Sequence, residues 1–362
     1  MRLGGAKIVP FRAPLRHPMV TARGRLDVRE GFVLELSGDD GECGLGEASP
    51  AYWLDGRPLA DTRAALEWIV TEVENCPDPA ELRAELLNER SAVKLTPEAA
   101  CALDTALLDV VARARSLTVA AMLGRASNAP LPVCALLAAR TPEAIAHEAI
   151  SARANGYTVF KLKVGAGPVE SDVDNVNALR DAIGETALIR LDANRAWSFE
   201  QALFALRALG PRRIEFVEEP LRSGKPVEMG RLRHETGIPV ALDESIGCER
   251  DLEPFGEACG PELVLVLKAA RVGGPSKCMN IAKTARAAGV AKIVVTDSIE
   301  TSVGMSAAVH LAAALAPAGT ALGLGGARLL ECGGFDAAEP CGVSWVKAAG
   351  PGLEVSLGSS EL

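Results

Sequence analysis

From Leu131 onward the chain repeats one pattern of apolar and polar positions. Short apolar runs suited to buried strands recur at Pro132–Leu137, Thr158–Val164, Leu188–Leu191, Ile214–Val217, Pro239–Leu242, Leu263–Leu267 and Lys292–Val295. A weaker run follows at Thr320–Leu324. Between them lie helical stretches that end at Gly156, Gly184, Gly210, Gly237, Gly260 and Gly289, spaced 28, 26, 27, 23 and 29 residues apart. Glycine just past a helix takes the left-handed conformation that closes it, at little steric cost. One helix opens on a capping box, Ser198 to Gln201. Strand, loop, helix and glycine, repeated at this spacing, form the βα unit. Eight such units over about 200 residues predict an α/β fold with a (β/α)8 TIM-like barrel rather than an open doubly wound sheet.

The residues before this series read differently. Phe32–Leu36 and Cys43–Glu47 are strand candidates around a Gly/Asp turn, Ser37–Gly41. Helix candidates follow at Leu59–Asn75, at Asp78–Arg90 and from Thr96, which is an N-cap with Pro97 at the first helical position. This region predicts an α+β module.

Composition narrows the function classes. A net charge of −9 with no Lys/Arg run argues against nucleic acid. The nine cysteines include no C-x-x-C pair and are odd in number, which predicts buried or inert thiols in a reducing cytoplasm. No apolar segment follows the first residues, so no signal peptide is expected. The apolar stretch Ser306 to Ala327 is broken by His310, Pro317 and glycines, and predicts no membrane span. His147, His234 and His310 read as structural, while His17 lies in an N-terminal segment that can reach a substrate.

The chemistry sits at the strand ends. Lys161 and Lys163, Asp192 and Asn194, Glu218, Asp243 and Lys268 close successive strand candidates, at intervals of 29, 26, 25 and 25 from Lys163. In such barrels catalytic groups come from the C-terminal ends of strands. Asp192, Glu218 and Asp243 converge, and three crowded carboxylates are costly unless a cation neutralises them. All-oxygen ligation suits Mg²⁺, with Mn²⁺ as the other option. Lys161 and Lys163 are two apart on a strand and share a face. Ammonium groups near a cation depress one another's pKa, freeing one amine to act as a base. Arg190 either meets an anionic group of the substrate or forms a structural ion pair. Asn194 hydrogen-bonds a substrate or a carboxylate. Glu219 and Glu244 point to the opposite face of their strands and support the ligands from there. Thr296, Ser298 and Glu300 follow the seventh strand, where hydroxyls bind substrate oxygens or cap the loop.

Read in order, F-K-L-K-V-G, R-L-D-A-N-R-A-W, V-E-E-P-L, A-L-D-E-S and L-V-L-K resemble the enolase superfamily in its muconate-lactonising subgroup. The resemblance implies that Asp192, Glu218 and Asp243 bind Mg²⁺ and that Lys163 and Lys268 flank a small-molecule carboxylate substrate. It implies a barrel over residues 128–329. It also implies a capping domain over residues 1–127 with the tail 330–362, whose loops Pro14–Gly24 and Ala48–Trp53 close the site. Within the subgroup, R-L-D-A-N-R-A-W, D-S-I-E-T-S-V-G and P-L-R-H-P-M-V-T-A-R-G are similar to the o-succinylbenzoate synthase family of menaquinone biosynthesis. That likeness implies a lyase. In it Lys163 removes the α-proton and returns a proton to the departing hydroxyl, Lys268 stabilises an enediolate, and Ser298 touches the succinyl part. From their places at the strand ends, Lys161, Arg190 and Asn194 are taken as further substrate-binding candidates. Ala269 departs from the proline that relatives often carry after the last lysine. The rivals are an N-succinylamino acid racemase and a muconate-type cycloisomerase. Dipeptide epimerases carry a D-x-D motif near the eighth strand, and Thr320–Cys332 has none.

Overall fold

The computed structural model describes residues 1–21, 24–51, 56–86, 88, 94–124, 129–290, 292–317, 319–331, 335–336, 343–345 and 350–357. The chain opens with a three-stranded antiparallel sheet, β1 (Leu3–Thr21), β2 (Gly24–Gly38) and β3 (Cys43–Ala48). The segment expected as a loop, Pro14–Gly24, is therefore strand up to Thr21 and again from Gly24. Its prolines lack an N–H to donate, which β1 tolerates because it is an edge strand. The β1–β2 register shifts between Pro14 and Met19. Tyr52 and Trp53 of the second expected loop lie outside the described residues.

Helices α1 (Leu59–Asn75), α2 (Pro79–Leu86) and α3 (Pro97–Ala114) back this sheet. Thr96 caps α3 as expected, accepting from the Ala99 N–H with Pro97 behind it. The helix expected over Asp78–Arg90 is described over Pro79–Leu86. Helix α3 lies directly on β3, because Gly44 and Gly46 leave one face of that strand without side chains. A Cβ on Gly46 would stand 1.9 Å from the Ala102 carbonyl oxygen. Overpacking of this kind costs about 3 kcal/mol, so Gly46→Ala is expected to lower the unfolding free energy by that amount in urea titrations.

The second layer is a seven-stranded parallel sheet in sequential order: β5 (Ala135–Leu137), β6 (Val159–Lys163), β7 (Leu188–Asp192), β8 (Ile214–Glu218), β9 (Val240–Leu242), β10 (Val264–Leu267) and β11 (Lys292–Val295). β4 is the short Leu131–Pro132 segment, paired antiparallel with Ser344–Trp345 of the tail. Gly237, after the helix Pro226–Thr236, takes φ +67 and ψ 11, the left-handed cap that the glycine repeat predicts. The Ser198–Gln201 capping box makes both of its bonds. The eighth run differs from expectation. Thr320–Leu324 forms no strand, only parallel bridges from Leu322 to Val133 and from Gly323 to Thr296. Those bridges reach both edges of the sheet, with Cys134 N–H donating to the Leu322 carbonyl and Gly323 N–H to the Val295 carbonyl.

The tail returns to the N-terminal layer. Leu353 N–H donates to Asp109 of α3 at 2.7 Å, and Arg113 donates to the Val355 carbonyl. The four histidines are placed without a pocket role: His147 and His234 on helices, His17 exposed on β1, and His310 buried with its Nδ1 accepting from Ala120 N–H. The seven described cysteines are free thiols, and no described helix is long and apolar enough to cross a membrane.

Candidate active site

Sheet register builds the site. Lys163 on β6 stands beside Asp192 on β7, and Asp192 beside Glu218 on β8. Asp243 follows β9 and Lys268 follows β10, both at the same end of the sheet. The ammonium of Lys161 lies 2.6 Å from Glu218 Oε2 and 2.9 Å from Asp192 Oδ2. Lys163 Nζ donates to Asp192 Oδ2 at 3.1 Å and to Asn194 Oδ1 at 2.7 Å. Lys268 Nζ contacts Asp243 Oδ2 closely, and Arg271 Nε is 3.9 Å from Asp243 Oδ1. Lys163 is the most accessible of these lysines, its side chain 32% exposed against 12% for Lys161 and 15% for Lys268.

A pocket opens over these groups. Lys161, Lys163, Asp192, Asn194, Asp243, Glu244, Lys268 and Ser298 all line it. Arg190 does not. It is buried beneath, stacked 4.9 Å from the Phe216 ring centre, with Nε on Glu215 at 2.6 Å and Nη1 on the Ala321 carbonyl. The alternation that gives Arg190 the same face as Asp192 does not give it the same depth, so the substrate contact expected of Arg190 is replaced by a structural ion pair. Glu244 is also corrected. It lies on the pocket wall and accepts from Asn194 Nδ2 at 3.0 Å, because β9 ends at Leu242 and strand alternation no longer governs it. Glu219 does turn away. Its carboxylate accepts from the Asp243 and Ser245 N–H groups and from Arg195, which fixes the Asp243 backbone.

The electrostatics follow from burial and crowding. Burial pulls the Lys161 ammonium down, but Asp192 and Glu218 outweigh it and hold its pKa above the ordinary lysine range. Lys268 is likewise raised, burial being outweighed by Asp243 and Glu218. This direction is set by the carboxylates alone, since each ammonium sits against one; the depression expected from sequence belongs to ammonium groups beside a bound cation. Asp192 is held well below the usual range: burial opposes its ionisation, and Lys161, Lys163 and Lys268 favour it more strongly. Glu218 is pushed up to about 7 by burial and by Asp192 and Asp243.

The donor set suits a divalent cation. Glu218 Oε1 is buried with no hydrogen-bond partner, and its neighbours Asp192 and Asp243 repel it. Hard carboxylate oxygens in that situation fit Mg²⁺. Among the described residues, no three acids or imidazoles already surround one point. The nearer partners of the carboxylates are the lysine ammonium groups.

A further wall comes from the segment after β11, next to Lys268. Thr296 Oγ1 and Ser298 Oγ are buried without partners. Asp297 turns its carboxylate onto the Ile299 and Gly326 N–H groups. Glu300 lies behind, its carboxyl pushed up to about 8 by burial, Asp297 and Glu47. An unfolded glutamate ionises near 4.5, so the unfolded chain loses this proton first. The stability linked to Glu300 is full below about pH 4.5 and is lost as pH rises to about 8. Glu300→Gln cannot ionise, so its denaturant midpoint should fall less between pH 5 and pH 8 than that of the wild type.

Sequence reasoning missed Arg271 and Ile299, which also line the pocket. Arg271 was findable, one helical turn after Lys268. Met19 and Ala51, from the two segments expected to close the site, line it as well.

Comparison with known proteins decides the family. Residues 144–340 match the family described as Enolase C-terminal domain-like, and residues 5–124 match the Mandelate racemase / muconate lactonizing enzyme, N-terminal domain. The chain belongs to the enolase superfamily. Among its superfamily relatives, an N-succinyl-L-Arg/Lys racemase of Bacillus cereus is 27% identical over 86% of this chain and 84% of its own length. An o-succinylbenzoate synthase of Thermobifida fusca is 36% identical over 56% of this chain and 61% of its own length. The solved structure of a dipeptide epimerase from Methylococcus capsulatus, complexed with Mg and the dipeptide L-Arg-D-Lys, superposes with a TM-score of 0.86 at 26% identity. It covers 98% of this chain and 99% of that one.

Proposed function

We propose that this superfamily member is an o-succinylbenzoate synthase, a Mg²⁺-dependent lyase. Its reaction is the syn-dehydration of 2-succinyl-6-hydroxy-2,4-cyclohexadiene-1-carboxylate. The observation that carries this reading is the pocket wall that follows β11, beside Lys268. There Thr296 and Ser298 offer buried hydroxyls with no protein partner, while the Asp297 carboxylate is bound to backbone amides. Such a wall suits an acyl carbonyl or carboxylate. It holds no free acid for the ammonium of a dipeptide, in keeping with Gly323, Gly325 and Gly326 where a D-x-D motif would stand. The likeness to the Thermobifida fusca synthase supports it.

In this reading residues 128–329 form a closed (β/α)8 barrel, residues 322–323 completing the ring, and residues 1–127 with the tail form its cap. The reaction takes place in the cytoplasm, which the free cysteines support. Asp192, Glu218 and Asp243 hold the cation. When bound, Mg²⁺ supplies Lewis-acid stabilisation of the charge that develops on the substrate carboxylate. A lysine base working beside Mg²⁺ is the general pattern of enolase-superfamily sites and is taken over from them. Lys163, accessible and held by Asn194 and Asp192, takes the α-proton and gives a proton to the departing hydroxyl. Lys268 lies across the acids and stabilises the growing negative charge. Lys161, pinned between Asp192 and Glu218, orders the carboxylates, and Ser298 binds the succinyl end.

A second reading, racemisation of an N-succinylamino acid, is favoured by the pair Lys163 and Lys268, each able to serve one face of an α-carbon. The B. cereus relative supports it. The two are separated by offering both substrates with Mg²⁺ to the wild type and to Lys268→Ala. The proposed function predicts a higher kcat/KM for loss of diene absorbance than for racemisation in the wild type, and severe loss of dehydration in the variant. A higher kcat/KM for racemisation would replace the synthase by the racemase.

A further inference from the structure

The pocket's two outer walls come from distant parts of the chain. One is Ala51, just after β3; the other is the Ser298–Ile299 segment after β11. Both are held by one buried guanidinium. Arg29, on β2 and fully shielded from solvent, donates from Nε to the Ile299 carbonyl at 3.0 Å. Its Nη1 and Nη2 donate to the Pro50 and Ser49 carbonyls, each at 2.5 Å.

Ile299 needs such a clamp. Its φ is +64, in the left-handed region where a β-branched side chain is strained. Strain of this sort persists only where surrounding bonds over-determine it, and it gathers at functional sites. The flanking residues are anchored independently. Asp297 is tied to Gly326, and Thr301 donates its N–H to Glu47 of β3 at 3.0 Å. Ser298 and Ile299 keep their N–H bonds to the Glu300 and Asp297 carboxylates, so loss of the Arg29 bond releases the Ile299 carbonyl and the peptide that sets its left-handed turn while the segment's ends stay fixed.

We propose that Arg29 is a positioning residue. By holding Ile299 in its left-handed conformation and the Ser49–Pro50 carbonyls in place, it aims the Ser298 hydroxyl into the pocket and sets the gap between the walls. The substrate aspect rests on the proposed function above; the conformational aspect does not.

The test is Arg29→Lys, which keeps the buried charge but loses the planar fork that serves three carbonyls. The expected result is a KM for the succinyl substrate raised about tenfold, with kcat within about threefold and the pH profile unchanged. A crystal structure of the variant should show Ile299 at negative φ and Ser298 displaced. In an Ile299→Gly background the same replacement should cost less, because glycine adopts the left-handed conformation unaided. Ile299 still left-handed with Ser298 in place, or an equal penalty in both backgrounds, overturns the proposal. If Arg29→Lys does not fold, Arg29→Gln, which retains a donor and buries no charge, is read by the Ile299 torsion, the Ser298 position and KM. If the wild type turns over no succinyl substrate, the proposed function falls, and the Ile299 torsion in the variant still decides the role of Arg29.

Discussion

Lys163→Ala is expected to lower dehydration by about 10⁴-fold, the upper part of the range for losing a positioned acid–base group. The geometry explains the size of the effect. Lys163 is the lysine most open to the pocket, and its neighbours Asp192 and Asn194 already fix its ammonium. Lys161 cannot replace it, because Lys161 lies between two carboxylates that hold its proton. The fold should be unaffected, since a partly exposed side chain is shortened without a buried cavity. The check is kcat/KM of purified variant and wild type alongside matching circular dichroism. Wild-type activity in Lys163→Ala would remove this residue from the chemistry.

Removal of the cation is the second large effect. Chelation by EDTA should stop turnover, and added Mg²⁺ should restore it, because several kcal/mol of charge stabilisation leave with the ion. Asp192→Asn should weaken Mg²⁺ binding measured by calorimetry, as one anionic oxygen donor is lost. The buried unpartnered Glu218 Oε1 makes the same point from the other side. A protein that turned over at its full rate in EDTA would exclude the three acids as a metal site.

Much of this arrangement was legible in the sequence, and particular residues show why. The strand-end acids could be placed because glycine caps mark each βα unit and parallel pairing keeps Lys163, Asp192 and Glu218 in register. Depth along a strand is harder to read. Arg190 shares a face with Asp192 but lies two residues further from the strand end, where Phe216 and Glu215 surround it. Strand β1 was hidden by Pro10, Pro14 and Pro18, which an edge strand accommodates without a hydrogen-bond penalty. The eighth run, expected as a weak strand, forms only two bridges for a different reason. Its glycines supply few side chains to pack, and only Leu322 and Gly323 bridge the sheet. Arg29 and Glu47 gave no local signal, since their partners lie 270 and 254 residues away.

The lysine charges teach a related lesson. Ammonium groups gathered around a bound cation are expected to depress one another's pKa values. Where the carboxylates face the ammonium groups directly, Asp192, Glu218 and Asp243 raise Lys161 and Lys268. Sign and distance together decide the direction, and only the register supplies the distance.

The most direct test of the central claim is single-turnover dehydration with substrate deuterated at the α-carbon, in the presence of Mg²⁺. The account predicts that the wild type consumes the deuterated diene more slowly than the protonated one and that Lys163→Ala consumes neither. Equal rates for both isotopologues in the wild type, together with turnover by Lys163→Ala, would contradict proton removal by this lysine.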